Sequence, residues 1–587
     1  MNPDVTRLLL VGVLLAGCVH RSERVDTLPG DGSGVPAPRD PSTPDGLFFV
    51  DVTRQARIDF TRDNGFDGVH YRIIETVNGG LALLDFDGDG FLDIYFTNGA
   101  RIDPGSAPDG QPAKRPTNAL FRNLGNGTFE DVSKRSNTDD SLLSLGCAVA
   151  DITGDGLPDL YVTNLGPNRL YRNNGDGSFT DIARESGVAL DSADAGSVFF
   201  DMDADGDLDL YVTSYVTEER EGKPPIIVGG VKTYGSPLHY PLAPDHLLEN
   251  KGEGRFVDVS ESSGIRSPAS AAGLGVIAAD LNGDGHKDLY VANDATANFL
   301  FIGDGKGHFV EEALLHGVAY SGVGSRQGSM GIAVADYDND GLTDIGVTNF
   351  NSEYNNLFRA VDRGFFEDVA QDSVFGRGNL QEVGWGIGFV DFDNDGWRDV
   401  LLVNGHIRPR ARELDEGESY AQSARLFRNL SAGKLEDQTT TAGADFSKPR
   451  VARGSAFGDL DNDGDVDVVI CNASGLPTLL RNDSRPSGNW ARVRLIGRAP
   501  NRDGIGAEVT VVTSARPARQ TASRHSSESY LSVNDPRLHF GLGSAQGIER
   551  LEVRWPDGST QVHGRLPARR LITVRQGEKG CGVSELK

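Results

Sequence analysis

Cysteine, methionine and histidine are scarce in this 587-residue chain, at four, three and eleven. Of the cysteines, Cys18 ends a leader-like stretch, and Cys147, Cys471 and Cys581 are too few and too scattered for a disulfide framework. Two of them, Cys147 and Cys471, lie in predicted strands of well-separated units and read as buried free thiols. No histidine or cysteine stands at a ligand position of the acidic motifs below, which argues against zinc and copper. Neither a G-x-S-x-G elbow, a P-loop nor an H-E-x-x-H motif occurs. Positive charge is also short: the net charge of −28 argues against nucleic acid as a partner.

What the chain has instead is aspartate and 74 glycines, in a repeat. The phrase D-x-[DNT]-x-D-G-x-x-D occurs seven times, each followed by a short run of β-formers. Its candidate ligands are Asp85, Asp87, Asp89 and Asp93; Asp151, Thr153, Asp155 and Asp159; Asp201, Asp203, Asp205 and Asp209; and Asp280, Asn282, Asp284 and Asp288. The last three copies give Asp336, Asp338, Asp340 and Asp344; Asp391, Asp393, Asp395 and Asp399; and Asp459, Asp461, Asp463 and Asp467. Glycine at the sixth position permits the tight wrap that brings these oxygens to one point. Carboxylates so close repel one another unless a hard cation sits between them. Ca²⁺, which accepts six to eight oxygens in flexible geometry, suits the loop better than Mg²⁺. An EF-hand is excluded: position twelve is Phe96, Val162, Val212, Val291, Val347, Leu402 or Ile470, never the bidentate Glu. Up to seven Ca²⁺ are expected, with weaker sites at Asp151 and Asp280, where Thr153 and Asn282 replace a carboxylate. Seven such ions offset half of the net charge.

A second phrase, N-x-G-x-G-x-F-x-D-[VI], alternates with the first, as in Asn123–Val132 and Asn173–Ile182. The last unit ends at Asn482 without its F-x-D strand, while Phe49-Val50-Asp51-Val52 precedes every Asp loop. The N-terminal copy therefore completes the last unit and closes a ring with no free sheet edge. The expected fold is all-β: a seven-bladed β-propeller over 47–485, then a small β-sandwich-like domain over 486–577 and a tail over 578–587. Residues 487–587 carry 16 Lys and Arg against 9 Asp and Glu, opposite in sign to the propeller, so charge steers the two together.

At the other end, Arg7, the apolar run Leu8 to Leu15 and Ala16-Gly17-Cys18 read as a secretory signal, too short to span a membrane as a helix. Leu15-Ala16-Gly17-Cys18 resembles the bacterial lipoprotein box, which implies cleavage after residue 17, acylation of Cys18 and an exported envelope lipoprotein at the outer membrane or cell surface. Residues 18–46, rich in Pro, Gly, Ser and Asp, read as a flexible tether.

The Asp loops and N-x-G-x-G-x-F hairpins resemble the FG-GAP or VCBS repeats of integrin α-subunit propellers. Asn501-Arg502-Asp503-Gly504-Ile505-Gly506-Ala507, His539-Phe540-Gly541-Leu542-Gly543 and Trp555-Pro556-Asp557-Gly558 resemble the ASPIC/UnbV domain. In this order the chain resembles the bacterial branch of the cartilage acidic protein family, carrying Ser532-Val533 where family members often carry Ser-Gln. The resemblance implies architecture, and no agreed activity.

No catalytic pair is assigned, since the close carboxylate clusters are all metal ligands. The insertion from about 215 to 249, with Tyr234, His239, Tyr240 and His246, and the Asn404-Gly405-His406 turn are the candidate ligand-binding residues, because long loops on a rigid scaffold often carry function. The expected function is a calcium-binding, lipid-anchored, monomeric surface protein that binds an extracellular protein or glycan. The alternatives are an envelope enzyme or enzyme partner with a pocket at the propeller axis, and an assembly scaffold.

Overall fold

Leu81–Leu84 and Asp93–Phe96 are buried at every position, whereas Phe129–Asp131 buries only its Phe. A strand covered on both faces needs no polar alternation, while one at the rim needs a single apolar anchor. That gradient from continuous burial to one Phe runs outward through each sheet of a propeller. The computed structural model describes residues 45–67, 69–102, 115–217, 225–485 and 487–586. The leader, Cys18 and all but the end of the tether lie outside the described residues.

Strands Leu81–Leu84, Asp93–Phe96, Ala119–Asn123 and Phe129–Asp131 form the first antiparallel four-stranded blade, ordered from axis to rim. Blades two to six begin at Leu143–Ala150, Asp191–Phe200, Gly273–Ala279, Ile332–Ala335 and Gly384–Val390. Blades two and three are joined into one sheet where Asp191–Ala193 pairs with Leu165–Pro167. The seventh, Ala452–Gly458, Asp467–Asn472 and Thr478–Asn482, takes its outer strand from the N-terminus: Phe49 pairs with Asn482, Val50 with Arg481 and Asp51 with Leu480. Apolar cores fill the seams between neighbouring blades, and one of them packs Leu81, Ile94 and Phe96 of the first blade against Ala456 and Val469 of the seventh. A linear stack would leave that seam open, so the ring is closed.

The C-terminal domain is two four-stranded sheets face to face. Leu538–Gly543, Asn489–Ile496, Leu571–Arg575 and Cys581–Ser584 form one; Arg519–Ser523, Glu508–Val512, Arg550–Arg554 and Thr560–His563 form the other. Val493, Val509, Phe540, Val553, Trp555 and Ile572 fill the space between. The expected tail at 578–587 is corrected here: Val574 pairs with Cys581 and Leu571 with Ser584, so those residues form an edge strand. Backbone pairing to a neighbour, which no local apolar pattern announces, recruits it.

Charge alone does not specify how the two domains join. The C-terminal domain sits over the Asp-loop face, and its residues 524–537 run down the propeller axis. Val533 pairs with Ala82 of blade one. The Cys147 N–H of blade two donates to Leu531 O at 3.3 Å, and Phe199 of blade three exchanges two 2.8 Å bonds with the Ser526 hydroxyl. His525 reaches Ala278 O in blade four, Ser529 pairs with Ile332 in blade five, and the Ile387 N–H of blade six donates to the Ser529 hydroxyl. Asp535 N–H closes the circuit on Phe457 O of blade seven. Every blade thus bonds one hairpin. The axial pocket expected for an enzyme is filled by Tyr530 and Leu531, which join a core with Trp385, Val77 and Leu145.

Close approach of the inner strands depends on a glycine five residues before each Asp loop: Gly80, Gly146, Gly196, Gly275, Gly331, Gly386 and Gly454. A Cβ on Gly331 would stand 2.0 Å from Trp385 O of the next blade, and one on Gly196 would stand 2.2 Å from Leu274 O. Threonines finish the seam: Thr348 donates to Trp385 O at 2.7 Å and Thr213 to Leu274 O at 2.9 Å.

Candidate functional site: the Asp loops and the open face

All seven Asp loops repeat one hydrogen-bond scheme. The sixth-position glycines have φ between 92° and 100°, a conformation costly for any side chain. Each donates its N–H to the outer oxygen of the first Asp, as Gly90 does to Asp85 at 3.2 Å and Gly464 to Asp459 at 2.9 Å. The fifth-position Asp accepts the N–H two residues on, as Asp89 does from Phe91 at 3.0 Å. The ninth-position Asp is buried and holds two amides. Asp93 accepts from Phe86 and Asn123, Asp209 from Met202 and Asn250, and Asp467 from Leu460 and Asn482. It therefore clamps loop to hairpin, a duty that metal ligation alone would not require. The hairpin Asn in turn staples blades: Asn173 donates to Phe86 O and Asn482 to Phe392 O, each in the preceding blade.

The residues present fit a cation. Carboxylate oxygens converge within 4.8 Å at Asp85, Asp87 and Asp89; at Asp201, Asp203 and Asp209; at Asp336, Asp338 and Asp344; at Asp391, Asp393 and Asp399; and at Asp459, Asp461 and Asp467. Among the described residues no such group forms at the Asp151 and Asp280 loops, those with Thr153 and Asn282. The Oδ1 atoms of Asp85, Asp201, Asp280 and Asp336 are buried with no hydrogen-bond partner, a cost that a bound ion would remove. Burial first, then the Asp205 and Asp203 carboxylates, push Asp201 up to about 6. Burial likewise pushes Asp344 to about 8 and Asp209 to about 9. Arg122 and Arg428 lie on the rims of the first and sixth loops, Arg122 3.0 Å from Asp89 and Arg428 3.3 Å from Asp395, so each offsets part of the charge there.

The other end of the propeller carries the long connections between second and third strands. There the candidate ligand-binding residues separate. The buried Tyr234 lies edge-on to Tyr71 at 5.1 Å and donates to Glu75 Oε2 at 3.3 Å. Burial pushes Glu75 up, against the pull of Arg72 3.3 Å away. Tyr240 packs in the axial core with Trp385 and Tyr530. His406 is wholly buried, its Nδ1 accepting the Arg408 N–H at 3.1 Å and its Nε2 lying 3.1 Å from Glu418. Burial first, and then Arg408 and Arg453, hold it down to about 3, so it is neutral. His239 and His246 do not join this group. His239 closes a capping box over Pro237–His239, and His246 lies in a blade-three strand 3.4 Å from Asp258. Sequence reasoning missed Tyr71, Arg72 and Glu75, which lie before the first repeat.

Comparison with known proteins follows this geometry. The FG-GAP-like repeat matches residues 85–162, 151–212, 238–291, 280–347 and 391–470, and the ASPIC and UnbV domain matches 497–580. Cartilage acidic protein 1 of Mus musculus is 27% identical over 333 residues, 54% of this chain and 48% of that protein. The chain belongs to the family of FG-GAP-like repeat proteins and carries an ASPIC and UnbV domain after the repeats. The Homo sapiens protein is 26% identical across 54% of this chain and 47% of its own length, so the chain spans about half the length of the curated relatives it matches. Among solved structures, an Agrocybe aegerita lectin that recognises non-reducing terminal N-acetylglucosamine is 14% identical with a TM-score of 0.39, over 69% of this chain and 94% of that one. YCF48 bound to D1 peptide is 9% identical with a TM-score of 0.36, over 69% and 92%. Both are similar in fold class, and their ligands say nothing of this family member's.

Proposed function

We propose that this protein is a calcium-stabilised, lipid-anchored surface protein of the cell envelope that binds an extracellular protein or glycan through the propeller face opposite the Asp loops. The supporting observation is the placement of the C-terminal domain. It covers the loop face and fills the axis, leaving the opposite face as the end of the propeller where long connections meet solvent. Ile227, Val228 and Leu238, on the 215–249 insertion, are 65%, 49% and 53% exposed, and exposed apolar side chains gathered on one insertion mark contact surfaces. Calcium in this reading is structural, holding the loops on which the C-terminal domain rests.

The test is capture from native envelope extract on immobilised protein with calcium present, using wild type and Ile227→Asp/Val228→Asp. Loss of the captured partner in the variant, at unchanged thermal stability, is the expected result. Equal capture by both proteins would place the binding surface elsewhere and overturn the reading.

A further inference from the structure

The second Asp loop differs from the other six in what its first carboxylate meets. Oδ1 of Asp151 accepts the N–H of Gly154 at 2.8 Å and that of Asp155 at 3.1 Å, with the Thr153 hydroxyl 3.4 Å away, and Oδ2 accepts from Gly156 at 2.7 Å. The corresponding Oδ1 has no partner in Asp85, Asp201, Asp280 and Asp336, and meets one loop amide, that of Asp395 or Asp463, in Asp391 and Asp459. A carboxylate oxygen has two lone pairs, and those of Asp151 Oδ1 are both taken by the loop itself. Thr153 brings no charge, and among the described residues no three carboxylate oxygens converge at this loop. Its clamp is kept nonetheless: Asp159 accepts from Ile152 at 3.1 Å and from Asn173 at 2.8 Å. The loop is folded and closed by its own donors.

What reaches it from outside is the C-terminal domain. Asp503 Oδ2 accepts the Asp151 N–H at 2.7 Å, and Arg502 donates its Nε–H to Gly154 O at 2.5 Å. Gly154 has a φ of 73°, and a Cβ there would stand 3.4 Å from Pro500 Cα, so the fourth position also leaves room for the 500–503 segment. A further carboxylate beside Asp151 adds repulsion that a cation would relieve. The protein supplies that relief from its own side chains. Burial lowers Arg524, and Asp503 is the first of the carboxylates that offset it; the two line one cavity of about 110 Å³. Arg502 brings a second guanidinium to the loop.

We propose that the second Asp loop takes no calcium and is a metal-independent latch for the C-terminal domain, closed by Arg502 and Asp503 in place of an ion. Calcium at other loops stiffens the platform, while this contact holds the cap whether or not those ions are bound. The latch is independent of the ligand-binding face proposed above.

Two measurements on the full chain test it. In equilibrium dialysis against calcium, Asp155→Asn is expected to bind as many ions as wild type, and Asp338→Asn, in the fifth loop where three oxygens converge, one fewer. Asparagine retains the oxygen that accepts the Leu157 N–H from Asp155 and the Asp340 N–H from Asp338, so both turns survive. In thermal melts, Arg502→Gln/Asp503→Ala is expected to lower the melting temperature by the same shift in EDTA as in calcium. Arg502 is exposed and Asp503 half-buried, so the fold tolerates the change. Loss of one bound ion in Asp155→Asn, or no shift in EDTA for the double variant, overturns the proposal.

Discussion

Val533 and Ala82 form a parallel bridge between the axial hairpin and the first blade's inner strand, elements far apart in the chain: the Val533 N–H donates to Leu81 O at 2.9 Å and the Leu83 N–H to Val533 O at 3.0 Å. A segment from one domain thus supplies backbone partners inside another. The propeller and its cap are therefore expected to unfold as one cooperative unit.

Tyr530, at the hairpin tip, is wholly buried, lies edge-on to Trp385 at 4.9 Å and donates its hydroxyl to Val77 O. Tyr530→Ala is expected to lower stability by about 3–5 kcal/mol, as truncation of a large buried aromatic does. Denaturant unfolding would show the propeller and C-terminal domain moving together in both proteins, and an independent C-terminal transition in wild type would refute the coupling.

Removing divalent ions is expected to lower the melting temperature, and calcium to restore it. An ion bound only by the folded state at a hundredfold excess over its Kd contributes about 2.7 kcal/mol per site. Calorimetry with EDTA and then with added calcium measures this, and a melting temperature indifferent to EDTA would remove the calcium argument.

Thr153→Asp and Asn282→Asp restore the missing carboxylate in the second and fourth loops. Calcium titration should then reveal tighter binding at those loops than in wild type, because ligand charge sets affinity. An unchanged binding isotherm in both variants would show that the third position does not decide affinity.

The inner-strand glycines make a sharp comparison. Gly331→Ala places a methyl 2.0 Å from Trp385 O, whereas Gly564 has open space around it. The first should cost about 1–3 kcal/mol by overpacking, and Gly564→Ala should stay within about 0.5 kcal/mol. Thermal melts of the pair settle the matter.

His406 gives a pH dependence of known sign. Its folded value, about 3, lies below the ordinary 6.5, so its stabilising contribution is full above pH 6.5 and is lost as pH falls toward 3. With calcium held in excess, wild type should lose more stability between pH 7 and 5 than His406→Gln does. Parallel pH curves for the two proteins would show that His406 is not the group responsible.

The Asp loops, the ring and its closing strand were legible because each rests on a local phrase repeated at regular distance. The clasp at Phe49–Asp51 could be read from a phrase standing one place too early. The axial hairpin was not legible, since residues 524–537 read as a polar, serine-rich connection whose partners are main-chain groups in seven distant strands. A signal for the crowded axis did stand in the sequence, the glycine five residues before each loop, but its reason is the carbonyl of the neighbouring blade. The aromatic and charged group at the open face escaped notice because Tyr71, Arg72 and Glu75 belong to no repeat. His239 and His246 were drawn together by sequence proximity, and the blade-three strand at His246–Asn250 separates them.

The three-residue strand Phe49–Asp51 has a mechanical consequence. A pull applied at residue 45 loads the Gly46–Arg485 bridge and then Phe49, Val50 and Asp51, the residues that hold the circle shut. Any tension applied at that end of the ring is borne by a handful of hydrogen bonds to Thr478–Asn482 and Arg485, so the clasp that closes the propeller is also where such a load would open it.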